Sequence, residues 1–226
     1  MSIQLAGSPG PHVFVESLDQ LEVEAADMDH LQKSLRMRDG DALTASDGQG
    51  AWRFVEFSST GTLKPTGEIV TVPAPQRPRT VAFSLTKSAK PEWVVQKLTE
   101  LGVSNIVVLR SERTIVRWDE AKVEKARSRW ERIVVEAAMQ SHQVRLPTVS
   151  GVHVASEWLA SSPVAVAHFG GEPVSQAHST IAIGPEGGWS HDEVALAHTT
   201  VSLGASVLRA ETAAITAGVL LMQAPS

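Results

Sequence analysis

Apolar positions along this chain follow two different rhythms, which meet at a proline-rich joint, Val72-Pro73-Ala74-Pro75-Gln76-Arg77-Pro78. Before the joint the pattern is mostly that of strands. Val13, Phe14 and Val15 form a short apolar run. Asp47-Gly48-Gln49-Gly50 reads as a hairpin turn between Ala42-Leu43-Thr44 and Trp52-Arg53-Phe54-Val55-Glu56-Phe57. The second of these strands alternates, with Trp52, Phe54 and Phe57 assigned to one side. Leu31 and Leu35, four apart, predict a helix over Asp27 to Met37. These elements predict a small β-barrel with one helix.

After the joint, strands alternate with helices. Thr80 to Leu85 predicts a buried strand. Pro91 suits a first helical position, Val94, Val95, Leu98 and Leu101 follow at helical spacing, and Gly102 ends the helix. Ile106 to Leu109 predicts the next strand. Asp119 to Ser141 predicts a long helix with Val123, Trp130, Val134 and Ala137 on one stripe. Strands are expected at Val164 to Ala167, Thr180 to Ile183 and Val201 to Leu203. Ser190-His191-Asp192-Glu193 has the form of a capping box that starts a short helix, and Glu211 to Met222 predicts a final apolar helix. Such an alternation predicts an α/β domain with a mostly parallel sheet. The expected organisation is a barrel over 1–72, a proline-rich linker over 73–78 and the α/β domain over 79–226.

Composition narrows the function classes. With 226 residues and 42% hydrophobic side chains, the chain can bury a proper core. Its longest apolar stretches, such as Ile215 to Met222, are too short to span a bilayer. Met1 to Pro11 has neither a basic nor an apolar region of a signal peptide. There is no cysteine, which excludes disulfides, zinc-thiolate sites and a cysteine nucleophile and fits a reducing cytoplasm. No H-x-x-x-H or H-E-x-x-H spacing occurs, so no metal site is expected.

Net charge is −5, which by itself argues against nucleic-acid binding. The distribution changes that reading. Residues 1–75 hold five Lys/Arg against eleven Asp/Glu, whereas Arg110 to Arg132 alone holds eight basic and five acidic side chains. A local basic face on an acidic protein and an ordinary solvated helix are equally compatible with that count.

Two segments carry the candidate chemistry. In Ile181-Ala182-Ile183-Gly184-Pro185-Glu186-Gly187-Gly188-Trp189-Ser190 a buried strand runs into a loop with three glycines, then into a capped helix. Glycines there permit positive φ and let a ligand approach bare backbone. The loop lacks the Lys-Ser/Thr of a Walker loop and the G-x-G-x-x-G of a dinucleotide site. In Leu203-Gly204-Ala205-Ser206-Val207-Leu208-Arg209-Ala210-Glu211-Thr212-Ala213-Ala214 a second strand ends at glycine and leads into a helix. Glu211 suits the positive end of that helix, but a helix start does not account for Arg209.

The I-G-P-E-G-G and L-G-x-x-V-L-R-x-E-T-A segments together resemble the RsmE family of RNA methyltransferases. So do Gln96-Lys97-Leu98-Thr99-Glu100-Leu101-Gly102-Val103, Ser111-Glu112-Arg113, Gln140-Ser141 with Pro147, and His30-Leu31 with Leu35-Arg36. The resemblance runs in order along nearly the whole chain. It departs at Gln143, where arginine is common and Arg145 lies two residues on, and at Ser206, where arginine often precedes the V-L-R triplet.

The resemblance implies an N-terminal PUA-like barrel for RNA and a SPOUT domain whose mostly parallel sheet carries a trefoil knot. It implies S-adenosyl-L-methionine as methyl donor, N3 of a uridine in 16S ribosomal RNA or the small subunit as acceptor, a homodimer, a cytoplasmic setting and neither membrane nor metal. The donor is expected between three loops: His168-Phe169-Gly170, then Ile183, Gly184, Glu186, Gly187 and Gly188, then Leu203, Gly204, Val207 and Leu208, with Thr212 beside them. Trp189 stands where it could line that pocket. Arg209 is the expected stabiliser of the uridine anion and Glu186 a candidate proton acceptor. Arg36, Arg38, Arg113, Arg117 and Arg145 are the expected RNA contacts. The alternatives are a methyltransferase of the same superfamily acting on transfer RNA or another base, and a non-enzymatic RNA-binding protein. The intact glycines argue against the second.

Overall fold

The computed structural model describes residues 10–85 and 91–223, so the reading of Met1 to Pro11 falls almost wholly outside the described residues. The chain forms two compact units. One takes Met1–Pro75 together with Val135–Leu146, and the other takes Gln76–Val134 and Pro147–Ser226.

The first unit holds β1 (His12–Phe14), a short helix α1 (Ala25–Asp29), β2 (Ala42–Ser46), β3 (Ala51–Glu56), β4 (Lys64–Pro65) and β5 (Val70–Thr71). β1 runs parallel to β2, and β2 and β3 form the expected antiparallel hairpin. Both β4 and β5 pair with β3. Leu21, Leu31, Leu43, Val55 and Phe57 are almost completely buried and form its core. Each such side chain contributes roughly 1.5–3 kcal/mol through burial.

Two expectations are corrected here. Phe57 lies on the core side with Val55, whereas Trp52 and Phe54 project from the other side and meet edge to face at 5.1 Å. The period of two along a strand requires this, since 52 and 57 differ by an odd number. The helix expected over Asp27 to Met37 is also shorter. After Asp29 the turns widen into a π-helical segment, His30–Ser34, and Arg36 adopts φ 56°, which ends it. Leu35 is therefore exposed while Leu31 stays in the core.

Val135–Leu146 belongs to this unit through contacts that no linear reading supplies. The Gly50 amide donates to the Val144 carbonyl and the Leu146 amide to the Gly48 carbonyl, each at 2.9 Å. Trp52 packs with Val144 and Val72. Arg145 donates from Nη2 to the Val72 carbonyl at 3.0 Å.

The second unit carries β6 (Thr80–Ser84), α2 (Pro91–Glu100), β7 (Asn105–Arg110), most of α3 (Glu120–Gln140), β8 (Thr148–Val154) and α4 (Ala155–Ser161). They are followed by β9 (Ala165–Pro173), β10 (Thr180–Ile183), α5 (His191–Leu196), β11 (Thr199–Ser202) and α6 (Ala210–Gln223). Six strands make one wholly parallel sheet in the order β11-β9-β10-β6-β7-β8. The architecture is α/β with a parallel sheet.

Both pleat faces are covered. Ala82, Val107, Leu109, Val166 and Ala182 pack with Leu159 and Trp189 in one cluster, and the alternate residues Val81, Ile106, Val108 and Ile181 are fully buried. Burial on both faces explains why the central strands read as continuous apolar runs. α6 packs on β6, β10 and α2, and Gly218 permits the last contact, since a Cβ there would meet Leu98 at 2.8 Å. Asp119 caps α3, its carboxylate accepting the Lys122 amide at 2.8 Å.

Candidate functional site

Two loops leaving the carboxyl ends of β10 and β11, together with an excursion within the neighbouring strand β9, enclose a cavity of about 410 Å³. Ligands of open α/β sheets bind at that edge, and pockets for small molecules measure roughly 300–1,000 Å³.

The β10–α5 loop supplies Ile183, Gly184, Pro185, Glu186, Gly188 and Trp189 to the wall. Its geometry follows from its residues. The Gly188 amide donates to the Pro185 carbonyl at 2.8 Å, closing a tight turn, and Gly188 itself has φ 68°. Gly184 packs against the Trp189 indole, where a Cβ would come within 3.2 Å. The predicted capping box is present at the start of α5. The Ser190 hydroxyl accepts the Glu193 amide, and the Glu193 carboxylate accepts the Ser190 amide at 3.0 Å. That carboxylate is only 3% exposed, and its other oxygen accepts the Glu112 amide at 2.9 Å.

The β11–α6 segment supplies Ser202, Leu203, Gly204, Ser206, Val207 and Leu208, then Arg209, Ala210 and Ala213 at the helix start. Gly204 has φ 140°. Arg209 occupies the N-cap position of α6, its carbonyl accepting the Ala213 amide at 2.8 Å, while its side chain is exposed. Val207 is 90% exposed, an apolar side chain at the mouth of a cavity.

The third wall comes from within β9. Val166 pairs with Thr200, but the next residue of β11, Val201, pairs with Glu172. Residues 167–171 are thus looped out of register, and Ala167, His168 and Phe169 reach the cavity. Nδ1–H of His168 donates to the Phe169 carbonyl at 2.8 Å. Each of the three loops carries one glycine with positive φ, at 170, 188 and 204, and a Cβ at any of them would meet nothing within 4 Å. The requirement at these positions is therefore conformational.

Most of the predicted donor residues thus come together. Gly187 and Thr212 do not line the cavity. The carbonyl of Gly187 instead accepts a bond from Nη1 of Arg113 at 3.0 Å, and Thr212 is exposed on α6. Of the expected RNA contacts, Arg36 and Arg38 are exposed in the first unit and Arg117 in the second. Arg145 lies partly buried on the Val72 carbonyl, and a Cβ on Gly50 would overlap its guanidinium. The sequence reading missed the wall contributions of Ala167, Ser202, Ala210 and Ala213, while Pro185 and Ser206 fell within the two expected loops without being singled out. Most of them adjoin a predicted residue, so only their orientation was lacking.

The cavity fits a nucleoside-bearing cofactor such as S-adenosylmethionine. Ile183, Trp189, Leu203, Leu208 and Ala213 offer apolar surface for a purine, and the glycine-bearing loops offer backbone donors and acceptors without side chains in the way. Among the described residues no group of His, Asp and Glu could hold a metal ion, and no helix is long and apolar enough to cross a membrane.

Comparison with known proteins places the site in context. Residues 73–222 match the RNA methyltransferase domain family. Ribosomal RNA small subunit methyltransferase E of Mycobacterium bovis is 33% identical over 83% of this chain and 80% of its own length. A Legionella pneumophila protein solved with S-adenosylmethionine as bound cofactor superposes with a TM-score of 0.77 at 27% identity, covering 93% of this chain and 96% of that one. Ribosomal RNA small subunit methyltransferase E from Neisseria gonorrhoeae, also solved with S-adenosylmethionine, gives 0.73 at 25% identity over 92% and 95%.

Proposed function

The chain belongs to the ribosomal RNA small subunit methyltransferase E family, and from that premise we propose that it methylates N3 of a specific uridine in 16S ribosomal RNA. It is an S-adenosylmethionine-dependent ribosomal RNA methyltransferase. The observation that carries the reading is the cavity wall built from the loops that follow β10 and β11 and the excursion within β9, each with a glycine in the left-handed region.

S-adenosylmethionine, when bound, supplies an electrophilic methyl group. The backbone-rich loops around Gly188 and Gly204 would hold it, with Leu203, Leu208 and Trp189 offering apolar surface. The protein's remaining task lies with the acceptor. Uridine N3 attacks only after it loses its proton, so negative charge develops on the ring. Arg209, at the cavity and solvent-exposed, stabilises that charge. Glu186, on the facing loop, is the candidate to take the proton. Fixing donor and acceptor within one cavity can itself remove several kcal/mol of the barrier, out of roughly 7–11 for ideal alignment. The target base must be unstacked to enter.

The wider reading rests on the family. The first unit acts as a PUA-like barrel that holds RNA, with Arg36 and Arg38 on it and Arg117 on the catalytic unit as phosphate contacts. The catalytic unit is a SPOUT domain threaded as a trefoil knot. The enzyme works as a homodimer in the cytoplasm. Trp93 of α2 and Met222 of α6, both more than 40% exposed, are apolar surface suited to a second copy.

The test is calorimetric titration with S-adenosylmethionine, followed by mass mapping of 16S ribosomal RNA from a strain lacking the protein. Micromolar donor binding and loss of one methyl group from a uridine are expected. A normal methylation pattern would sink the assignment of substrate.

A further inference from the structure

From the contacts behind the β10–α5 loop we infer that Arg113 is a positioning residue for the donor site, acting through the Gly187–Gly188 peptide. The inference rests on the donor pocket proposed above.

Gly187 and Gly188 flank one peptide unit with no Cβ on either side, the easiest kind of peptide plane to rotate. Gly188 lines the cavity and Gly187 does not, so this peptide is the edge of the pocket wall. Its two polar groups are both engaged. The Gly188 N–H donates to the Pro185 carbonyl at 2.8 Å, and the Gly187 carbonyl accepts from Arg113 Nη1 at 3.0 Å. Rotating the plane would break both bonds together. The position of Gly187 is also close to the Arg113 stem, since a Cβ there would come within 3.5 Å of Arg113 Cβ. Arg113 therefore backs the loop sterically as well as through its hydrogen bond.

A second tie fixes Arg113 itself. Its neighbour Glu112 donates its backbone N–H to the buried carboxylate of Glu193, the same group that caps α5. Ser111 is buried, and its hydroxyl lies 2.9 Å from that of Thr114 in a local turn. The segment after β7 is thus tied at two points, Arg113 on the glycine turn and Glu112 on the helix cap that follows it. Sequence reading assigns Arg113 to RNA, as an arginine in a basic stretch. A guanidinium has five N–H donors and this contact uses one, so the role on the loop leaves others for a phosphate.

The experiment compares wild type, Arg113→Ala and Arg113→Lys in the full chain. Amide exchange without ligand is followed in the peptide Ile183 to Ser190, and S-adenosylmethionine is titrated by calorimetry. In Arg113→Ala the loop should exchange at least fivefold faster with an unchanged melting temperature, and donor affinity should fall about five- to tenfold. Lysine, with one ammonium donor, should recover part of both. Unchanged donor affinity overturns the inference, whether or not exchange accelerates, and leaves Arg113 to RNA. Wild type that does not bind the donor would fail the pocket assignment instead, and unchanged loop exchange in Arg113→Ala would then overturn the role of Arg113 on the Gly187–Gly188 peptide as well.

Discussion

Gly171 and Val201 meet backbone to backbone, so closely that a Cβ on Gly171 would lie 2.6 Å from the Val201 nitrogen and carbonyl carbon. This contact closes the excursion of residues 167–171, where β9 leaves register with β11 and returns at Glu172. The excursion carries His168 and Phe169 to the cavity, so the glycine sets the third wall from outside it.

Gly171→Ala should therefore do two things. It should destabilise the chain by about 1–3 kcal/mol, the usual scale of overpacking in a tight contact. It should also weaken donor binding, because β9 must shift where the wall begins. Urea unfolding and calorimetry of the same preparation measure both. An alanine variant with wild-type stability and affinity would mean that the two strands part without consequence.

Gly188 makes a different demand. Its φ of 68° is costly for any residue with a Cβ, and the space around it is open. Gly188→Val should weaken S-adenosylmethionine binding by more than tenfold while the fold survives, because the branched side chain strains the turn at the cavity edge. Gly188→Ala should lose less. Equal affinity in the valine variant would remove this loop from the donor site.

How far these features could be read from the chain depended on their range in sequence. Thr180–Ile183 and the Ser190 capping box are local and emerged with their observed boundaries. β8 and α4 did not. Thr148–Val154 is interrupted by Ser150, Gly151 and His153, and as the sheet's edge strand it lacks the apolar run of its neighbours. Ala155–Ser161 is too short to show a helical period. Arg113 lies 74 residues from Gly187, and no spacing in the sequence reports such a contact. The two glycine loops were legible because strand, glycine and helix start are consecutive in each. The β9 excursion was legible only as a place, after Val164 to Ala167. Its form depends on the pairing partner, β11.

Arg209 separates chemistry from binding. Its side chain is exposed at the cavity and its backbone starts α6, so truncation leaves the helix cap contact to Ala213 in place. Arg209→Ala should lower turnover roughly 100-fold or more, the scale seen when one charge-stabilising donor is lost, and leave donor affinity within a few-fold. Single-turnover rates at saturating donor, set beside calorimetry, make the comparison. A collapse of donor affinity would make Arg209 a cofactor residue and remove its role on the uridine.

The first unit should carry its own pH dependence, through His12. Its ring is 3% exposed and lies between two hydroxyls, with Nδ1 2.8 Å from Thr44 Oγ1 and Nε2 3.0 Å from Ser46 Oγ. Burial, and then the neighbouring His142 stacked 6.0 Å away, lower its pKa from 6.5 to about 4. The folded protein thus keeps His12 neutral over a range in which the unfolded chain protonates it. The stability it contributes is complete above pH 6.5 and is lost progressively as pH falls toward 4. Over that window the loss approaches roughly 3 kcal/mol, at 1.36 kcal/mol per pH unit. Asp27 works in the opposite sense: burial, then Glu24, raise its pKa, so its protonation favours the folded state. The difference between wild type and His12→Asn isolates the histidine from it. Urea midpoints between pH 4 and 8 should fall more steeply for wild type than for the variant below pH 6.5, and run parallel above it. Parallel curves throughout would mean that His12 titrates alike in the folded and unfolded chain, and that burial does not hold it neutral.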